Sequence, residues 1–202
     1  MNEDFLYVNG WFETKYMGNL SSRYMTMKVA LNLLLQRKGK LILETGTMRQ
    51  PNDWGAGCST LVFGDFCKRY GLKLITIDIS PVNMEVALQE TKEFAECIFY
   101  IVSDSIKFLE TYPDDEPIDL LYLDSLDCPI EGKEGDRNLV NAQQHNLKEL
   151  KAALTRLHNG SIILVDDNNF PNGGKAKETK KYLMEVGWVC VLDYQQTLWI
   201  RR

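Results

Sequence analysis

The chain has 202 residues, 45% of them hydrophobic and 25% charged, which is enough for one domain with a full core and too well mixed for a disordered segment. A net charge of −5 argues against a general nucleic-acid or anionic-membrane surface. No apolar run is long enough to span a bilayer, and the opening "MNEDFLYVNG" carries acids where a signal peptide carries bases, so a cytoplasmic protein is expected.

Five widely spaced cysteines with no CxxC point to free thiols in a reducing compartment rather than to disulfides or structural zinc. Residues 1–38 form one stretch: an aromatic-rich, irregular strap or lid up to about Leu20 (Phe5, Tyr7, Trp11, Phe12, Tyr16), then a helix capped by Ser21 or Ser22. Tyr24, Met27, Leu31 and Leu34 recur in that helix at helical spacing.

From 39 to 202 strands and helices alternate. "KLILE" is a strand, and "STLVFGDFCKRYG" a helix that stops at Gly71. "LKLITID" is a strand, and "SPVNMEVALQETKEF" a helix with Pro81 in its first turn. "CIFYIVSD" and "IDLLYLD" are strands on either side of a short helix, "SIKFLETY". After a charged, glycine-containing loop, the next helix carries Val140, Gln143, Leu147, Leu150, Leu154 and Leu157 on one stripe. "SIILVDD" is a strand, "GKAKETKKYLMEVG" a helix with a basic outer face, and "WVCVLDY" with "TLWIRR" a closing hairpin. Continuous apolar strands separated by helices imply a parallel α/β sheet covered on both faces. Right-handed crossovers bring the strands' C-terminal ends to one edge, where such sheets bind ligands.

Almost every strand stops at a carboxylate: Glu44, Asp78, Asp104, Asp124 and the pair Asp166–Asp167. Any one of them could be an ordinary turn residue or helix cap. As a set on one edge, behind a glycine-containing turn, they suggest a polar ligand. "GAGCST" lacks the third glycine of a dinucleotide fingerprint, and no GK[ST] follows. Glu44 would repel a pyrophosphate and suit a ligand with a positive amino group.

In this order "LILETGT…GAGCST", "LITIDIS", "IVSDS", "IDLLYLD" and "GSIILVDDN" resemble the class I S-adenosylmethionine-dependent methyltransferases. The resemblance implies a Rossmann-like, doubly wound sheet of seven strands with the last strand antiparallel and helices on both faces. It implies S-adenosylmethionine as cofactor. Glu44, Gly46, Thr47, Gly57 and Ser59 would hold its methionine part, Asp78 its ribose, and Asp104 its adenine with Ser103 and Ser105 beside it. Asp124 would lie at the sulfonium end. This chain departs from the family by inserting residues 48–54 into the first loop, which could bring Arg49 or Trp54 over the pocket.

Catechol and caffeoyl methyltransferases add a divalent ion, and by that likeness Asp124, Asp167 and Asn168 would bind Mg²⁺ or another divalent cation. The competing reading has one Asp capping a turn and the other solvated. Asp124 and His145 are the candidate catalytic residues, His145 as a general base unless it is a solvated side chain opposite the apolar stripe. The implied activity is transfer of a methyl group to a small molecule at oxygen, with no nucleic-acid or membrane partner and a homodimer allowed. A nucleotide-cofactor oxidoreductase and a non-catalytic cofactor-fold module are the alternatives.

Overall fold

The computed structural model describes residues 8–55 and 58–201. Two helices come first, α1 (Asn9–Leu20) and α2 (Tyr24–Gln36). The α/β unit follows: β1 (Leu41–Thr45), α3 (Ser59–Tyr70), β2 (Lys73–Asp78), α4 (Pro81–Glu90), β3 (Ile98–Val102), α5 (Ser105–Thr111) and β4 (Ile118–Leu123). The chain ends with α6 (Arg137–Ala153), β5 (Leu157–Val165), α7 (Lys177–Glu185), β6 (Val189–Asp193) and β7 (Thr197–Ile200).

The strands form one seven-stranded sheet in the order β3-β2-β1-β4-β5-β7-β6. Strands β1 to β5 pair in parallel, and β7 runs antiparallel to both β5 and β6. Pairing direction changes at β7 because β6 and β7 are joined by a tight hairpin that needs no crossover. The order reverses at β1, with β2 on one side and β4 on the other, so the first loops leave the sheet at its switch point.

Side chains alternate across the pleat into two cores. Ile42, Leu120, Tyr122, Ile162 and Leu164 face α1, α2 and α3. Leu41, Leu43, Leu121, Leu123, Ile163 and Val165 face α5, α6 and α7. Burial on both faces is why these strands read as unbroken apolar runs.

Three expectations are corrected. The N-terminal segment is helical from Asn9, because Val8, Phe12, Tyr16 and Leu20 recur every fourth residue and are all buried; Phe5 and Tyr7 lie outside the described residues. Neither Ser21 nor Ser22 caps α2. Ser21 takes φ +49, and Ser22 turns its hydroxyl to Gln195. The stripe of α6 is rotated by about one residue. Leu139, Ala142, Asn146, Glu149, Leu150 and Ala153 are buried, Val140 is exposed, and the helix ends at Ala153 with Leu157 already in β5. That rotation moves His145 off the solvent side.

Candidate active site

Gly46 opens the site. It sits at φ +82 where the ends of β1 and β4 meet, and a Cβ there would stand 2.5 Å from the Asp124 carbonyl oxygen. Only glycine permits that approach. Behind it Glu44 is fully buried, and its Oε2 accepts from Thr60 Oγ1 and Thr76 Oγ1, both at 2.8 Å. Thr60 Oγ1 in turn accepts from Met48 N at 2.9 Å. Glu44 therefore ties the first turn of α3 to the loop after β1. Glu44 lies behind the cavities described below rather than on their walls. Desolvation by burial, only partly offset by the hydroxyls of Ser59, Thr76 and Thr60, pushes its carboxyl up to about 7, and its Oε1 has no partner.

Three neighbouring cavities lie along the sheet's C-terminal edge and share lining residues. The first, about 170 Å³, is lined by Gly46, Asp78, Ser103, Asp104, Ser105, Ser125 and His145. Gly46, Asp78 and Ser125 lead into the second, which adds Thr47, Arg49, Ser59 and Asp124. Ser59 and Asp124 lead into the third, where they meet Leu20, Arg23, Met27, Trp54, Tyr122 and Asp166. Seven of the expected cofactor residues thus fall on one line with Asp124, while Gly57 lies outside the described residues. Both insertion residues singled out in the sequence, Arg49 and Trp54, face these cavities.

The wall chemistry suits a nucleoside bearing an amino-acid tail. Asp78 ends β2, where its Oδ1 accepts from Ser80 N at 2.8 Å and its Oδ2 from Thr47 N at 3.2 Å. The carboxylate is thereby fixed at the mouth of the first cavity, with the Asn83 Nδ2 contacts, 3.3 Å to each oxygen, the longest of those it accepts. Asp104 caps α5 through Lys107 N at 3.0 Å. His145 stands 3.3 Å from Ser105 Oγ and 3.4 Å from Glu149 Oε1, and the Glu149 carboxylate raises its pKa. It faces this first cavity and neither of the two that Asp124 lines.

At the other end, sequence reasoning missed three residues. Tyr122 projects from β4, its ring edge-on to Phe63, and its hydroxyl donates to Asp166 Oδ2 at 2.5 Å and approaches Asp124 Oδ2 at 3.3 Å. Burial and the neighbouring Asp124 and Asp166 keep that phenol protonated. Arg23, between α1 and α2, donates from Nε to both oxygens of Asp166 at 2.8 and 3.1 Å and from an Nη to the Gly55 carbonyl. Burial opposes its charge most strongly, but Asp166, Tyr122 and Asp124 together outweigh that and hold it protonated. Nothing in "SSRY" announces such a contact; it depends on the helix turn that aims Arg23 at the end of β5.

The third residue is Lys175, 1% exposed, whose Nζ lies 2.7 Å from Asp124 Oδ1 and 3.1 Å from Asp167 Oδ2. Its charge survives burial because Asp124 and then Asp167 face it. It precedes α7 and points inward, not onto the basic outer face expected there. Asn168 is turned away: its Nδ2 donates to Asp193 Oδ1 at 2.7 Å and to the Tyr194 carbonyl at 2.6 Å, and its Oδ1 accepts from Lys180. Asp124, Asp167 and Asn168 do not converge, and an ammonium fills the gap between the two carboxylates. The arrangement does not fit a divalent ion, and among the described residues no group of three His, Cys, Asp or Glu side chains is placed to hold one. The structure brings Asp124 and Asp167 together on Lys175 and leaves Asn168 apart from them.

Comparison with known proteins agrees with this geometry. A family model described as a methyltransferase domain matches residues 54–168, more than half of the chain, from the first loop to the end of β5. The chain is a member of that family and of the class I S-adenosylmethionine-dependent methyltransferases. No curated protein matches. Among solved structures it is similar to the S-adenosylhomocysteine-bound methyltransferase PaMTH1 of Podospora anserina, at TM-score 0.62 and 16% identity over 100% of this chain and 89% of that one. It is also similar to CalS11, a TDP-rhamnose 3′-O-methyltransferase of calicheamicin biosynthesis (TM-score 0.58, 15% identity, 97% and 89% covered). The ribosomal protein L11 methylase of Lactobacillus delbrueckii subsp. bulgaricus matches at TM-score 0.52 and 12% identity over 89% and 79%. At these identities the structural likeness is one of fold. Among the described residues no helix is long and apolar enough to cross a membrane.

Proposed function

We propose that this methyltransferase acts on a hydroxyl group of a small molecule, with Asp124 as the catalytic base. The observation that carries the reading is the position of Asp124: it is the residue, with Ser59, shared by the second cavity and the narrow cavity of Arg23, Trp54, Tyr122 and Asp166. That cavity, of about 10 Å³, has room for about one water-sized group. Its carboxylates disfavour the phosphate backbone of a nucleic acid.

In this reading the first cavity takes the adenosine, with Asp78 accepting from the ribose hydroxyls and Asp104, Ser103 and Ser105 facing the base. Gly46, Thr47 and Ser59 receive the methionine part. Bound there, S-adenosylmethionine supplies an electrophilic methyl group on a positively charged sulfur. Burial lifts the Asp124 carboxyl against the opposing pull of Lys175, to about 7, in the range where a general base works at neutral pH. Asp124 would accept the proton of the acceptor hydroxyl as the methyl group passes from the sulfonium sulfur to that oxygen, the methyl–sulfur bond breaking to leave the neutral thioether, and would then release the proton to solvent. Tyr122, kept protonated, donates and does not compete as base. Arg23 and Trp54 limit the size of the acceptor.

The test is transfer of labelled methyl from S-adenosylmethionine to a panel of small hydroxyl compounds and of matched amines. Turnover on hydroxyl compounds that rises with pH through about 7 and is lost in Asp124→Asn supports the proposal. Turnover on amines alone would refute oxygen as the acceptor atom.

A further inference from the structure

The loop from Asp167 to Lys175 is built to deliver one ammonium. Asp167 takes φ +52 and Gly174 φ +54, and a Cβ on Gly174 would stand 1.8 Å from the Asp167 carbonyl oxygen. The turn closes with Lys175 N donating to that same oxygen at 3.2 Å. Gln143, buried on α6, clamps it from outside by donating to the Gly174 carbonyl at 2.9 Å. The Lys175 side chain leaves this turn toward the sheet edge and ends between Asp124 and Asp167.

We propose that Lys175 is a positioning residue that serves as the built-in cation of the transfer site, holding Asp124 in the place where a divalent ion would otherwise have to bridge the two carboxylates. The charges fit that role. With Asp124 ionised, Asp124, Asp166 and Asp167 face Arg23 and Lys175, three negative groups against two positive, which leaves one negative charge to meet a sulfonium. Adding a divalent ion would reverse the sign and repel the cofactor's positive sulfur. A lysine also cannot leave, so the Asp124 carboxylate keeps one orientation through the cycle, whereas an exchangeable ion would have to rebind.

The inference deepens the reading of Asp124 as the transfer residue and is tested without turnover. Wild-type protein is titrated with Mn²⁺ alone and in the presence of S-adenosylhomocysteine, following the free-ion EPR signal. Wild type is expected to leave that signal unchanged. Lys175→Ala uncovers two facing carboxylates and is expected to gain Mn²⁺ affinity by at least about tenfold, a gain that K175A/D167N loses again. Stoichiometric capture of Mn²⁺ by wild type overturns the proposal, and that arm decides even if Lys175→Ala does not fold. A folded Lys175→Ala with no more affinity for Mn²⁺ than wild type also overturns it. Calorimetry of S-adenosylhomocysteine with wild type reports separately on the cofactor reading: absence of binding there refutes that reading and leaves the Mn²⁺ result standing.

Discussion

Glu44→Gln should stabilise the protein without cofactor at neutral pH. Gln keeps the shape and an oxygen for the Thr60 and Thr76 hydroxyls, but it cannot ionise. In wild type the Glu44 carboxyl is pushed from 4.5 up to about 7 by complete burial. Folding therefore binds a proton in the interval between those values, and by linkage stability falls as pH rises through it. The contribution is fully present below about pH 4.5, is lost by about pH 7, and amounts to roughly 3 kcal/mol. The unpartnered Oε1 is the structural source, since an isolated buried acceptor is costly and a buried charge more so. The assay is urea unfolding of both proteins at intervals from pH 4.5 to 8. Other carboxylates titrate in the same range, so the informative quantity is the difference between the two curves. That difference should grow in favour of Glu44→Gln up to about pH 7 and then level off. Parallel curves would mean that Glu44 is solvated in the folded state and would refute the argument.

Three further outcomes are expected. Asp78→Ala should weaken S-adenosylhomocysteine binding by about 1.5–3 kcal/mol, the worth of a hydrogen bond to a charged group, or about 10- to 150-fold in calorimetry; unchanged affinity in a folded variant would place the ribose elsewhere. Asp166→Ala removes the shortest carboxylate contact of both Arg23 and the Tyr122 hydroxyl, leaving Arg23 with Asp167 and Gly55 and Tyr122 with Asp124, and should cost about 1–3 kcal/mol in urea unfolding; no measurable loss would show that these remaining contacts replace the carboxylate. Gly174→Ala should lower stability by at least about 1–3 kcal/mol, because the side chain meets the Asp167 carbonyl oxygen; a melting temperature equal to wild type would mean that the turn has another conformation.

The architecture was legible because each strand of the parallel sheet carries apolar residues for both faces and stops at a carboxylate. The row from Gly46 through Asp78 and Asp104 to Asp124 could be read from order alone, since right-handed crossovers place every strand's C-terminal end on one edge. Helix faces were less legible where polar residues are buried. The true stripe of α6 keeps the expected Gln143 and Leu150 but adds Asn146 and Glu149, so following the leucines rotated the helix and sent His145 toward solvent. The first helix was hidden for a related reason: Trp11 beside Phe12 blurs the four-residue ladder that Phe12, Tyr16 and Leu20 form.

What the sequence concealed most completely is the partner of each strand-end acid. A carboxylate at the end of β4 and two at the end of β5 invite a cation, and a string of residues cannot say whether that cation is bound or covalently supplied. The deciding signal is the backbone of the 167–175 turn. "NGGK" could be read as a flexible approach to a helix, with the lysine beginning its basic face. Gly174, at φ +54 and ψ −157, lies in a region that only glycine occupies readily. That conformation reverses the chain, so the lysine enters the sheet edge one turn before α7 begins. The acidic row marks the edge of the proposed cofactor site, and the glycine turn beside it determines which cation Asp124 faces there.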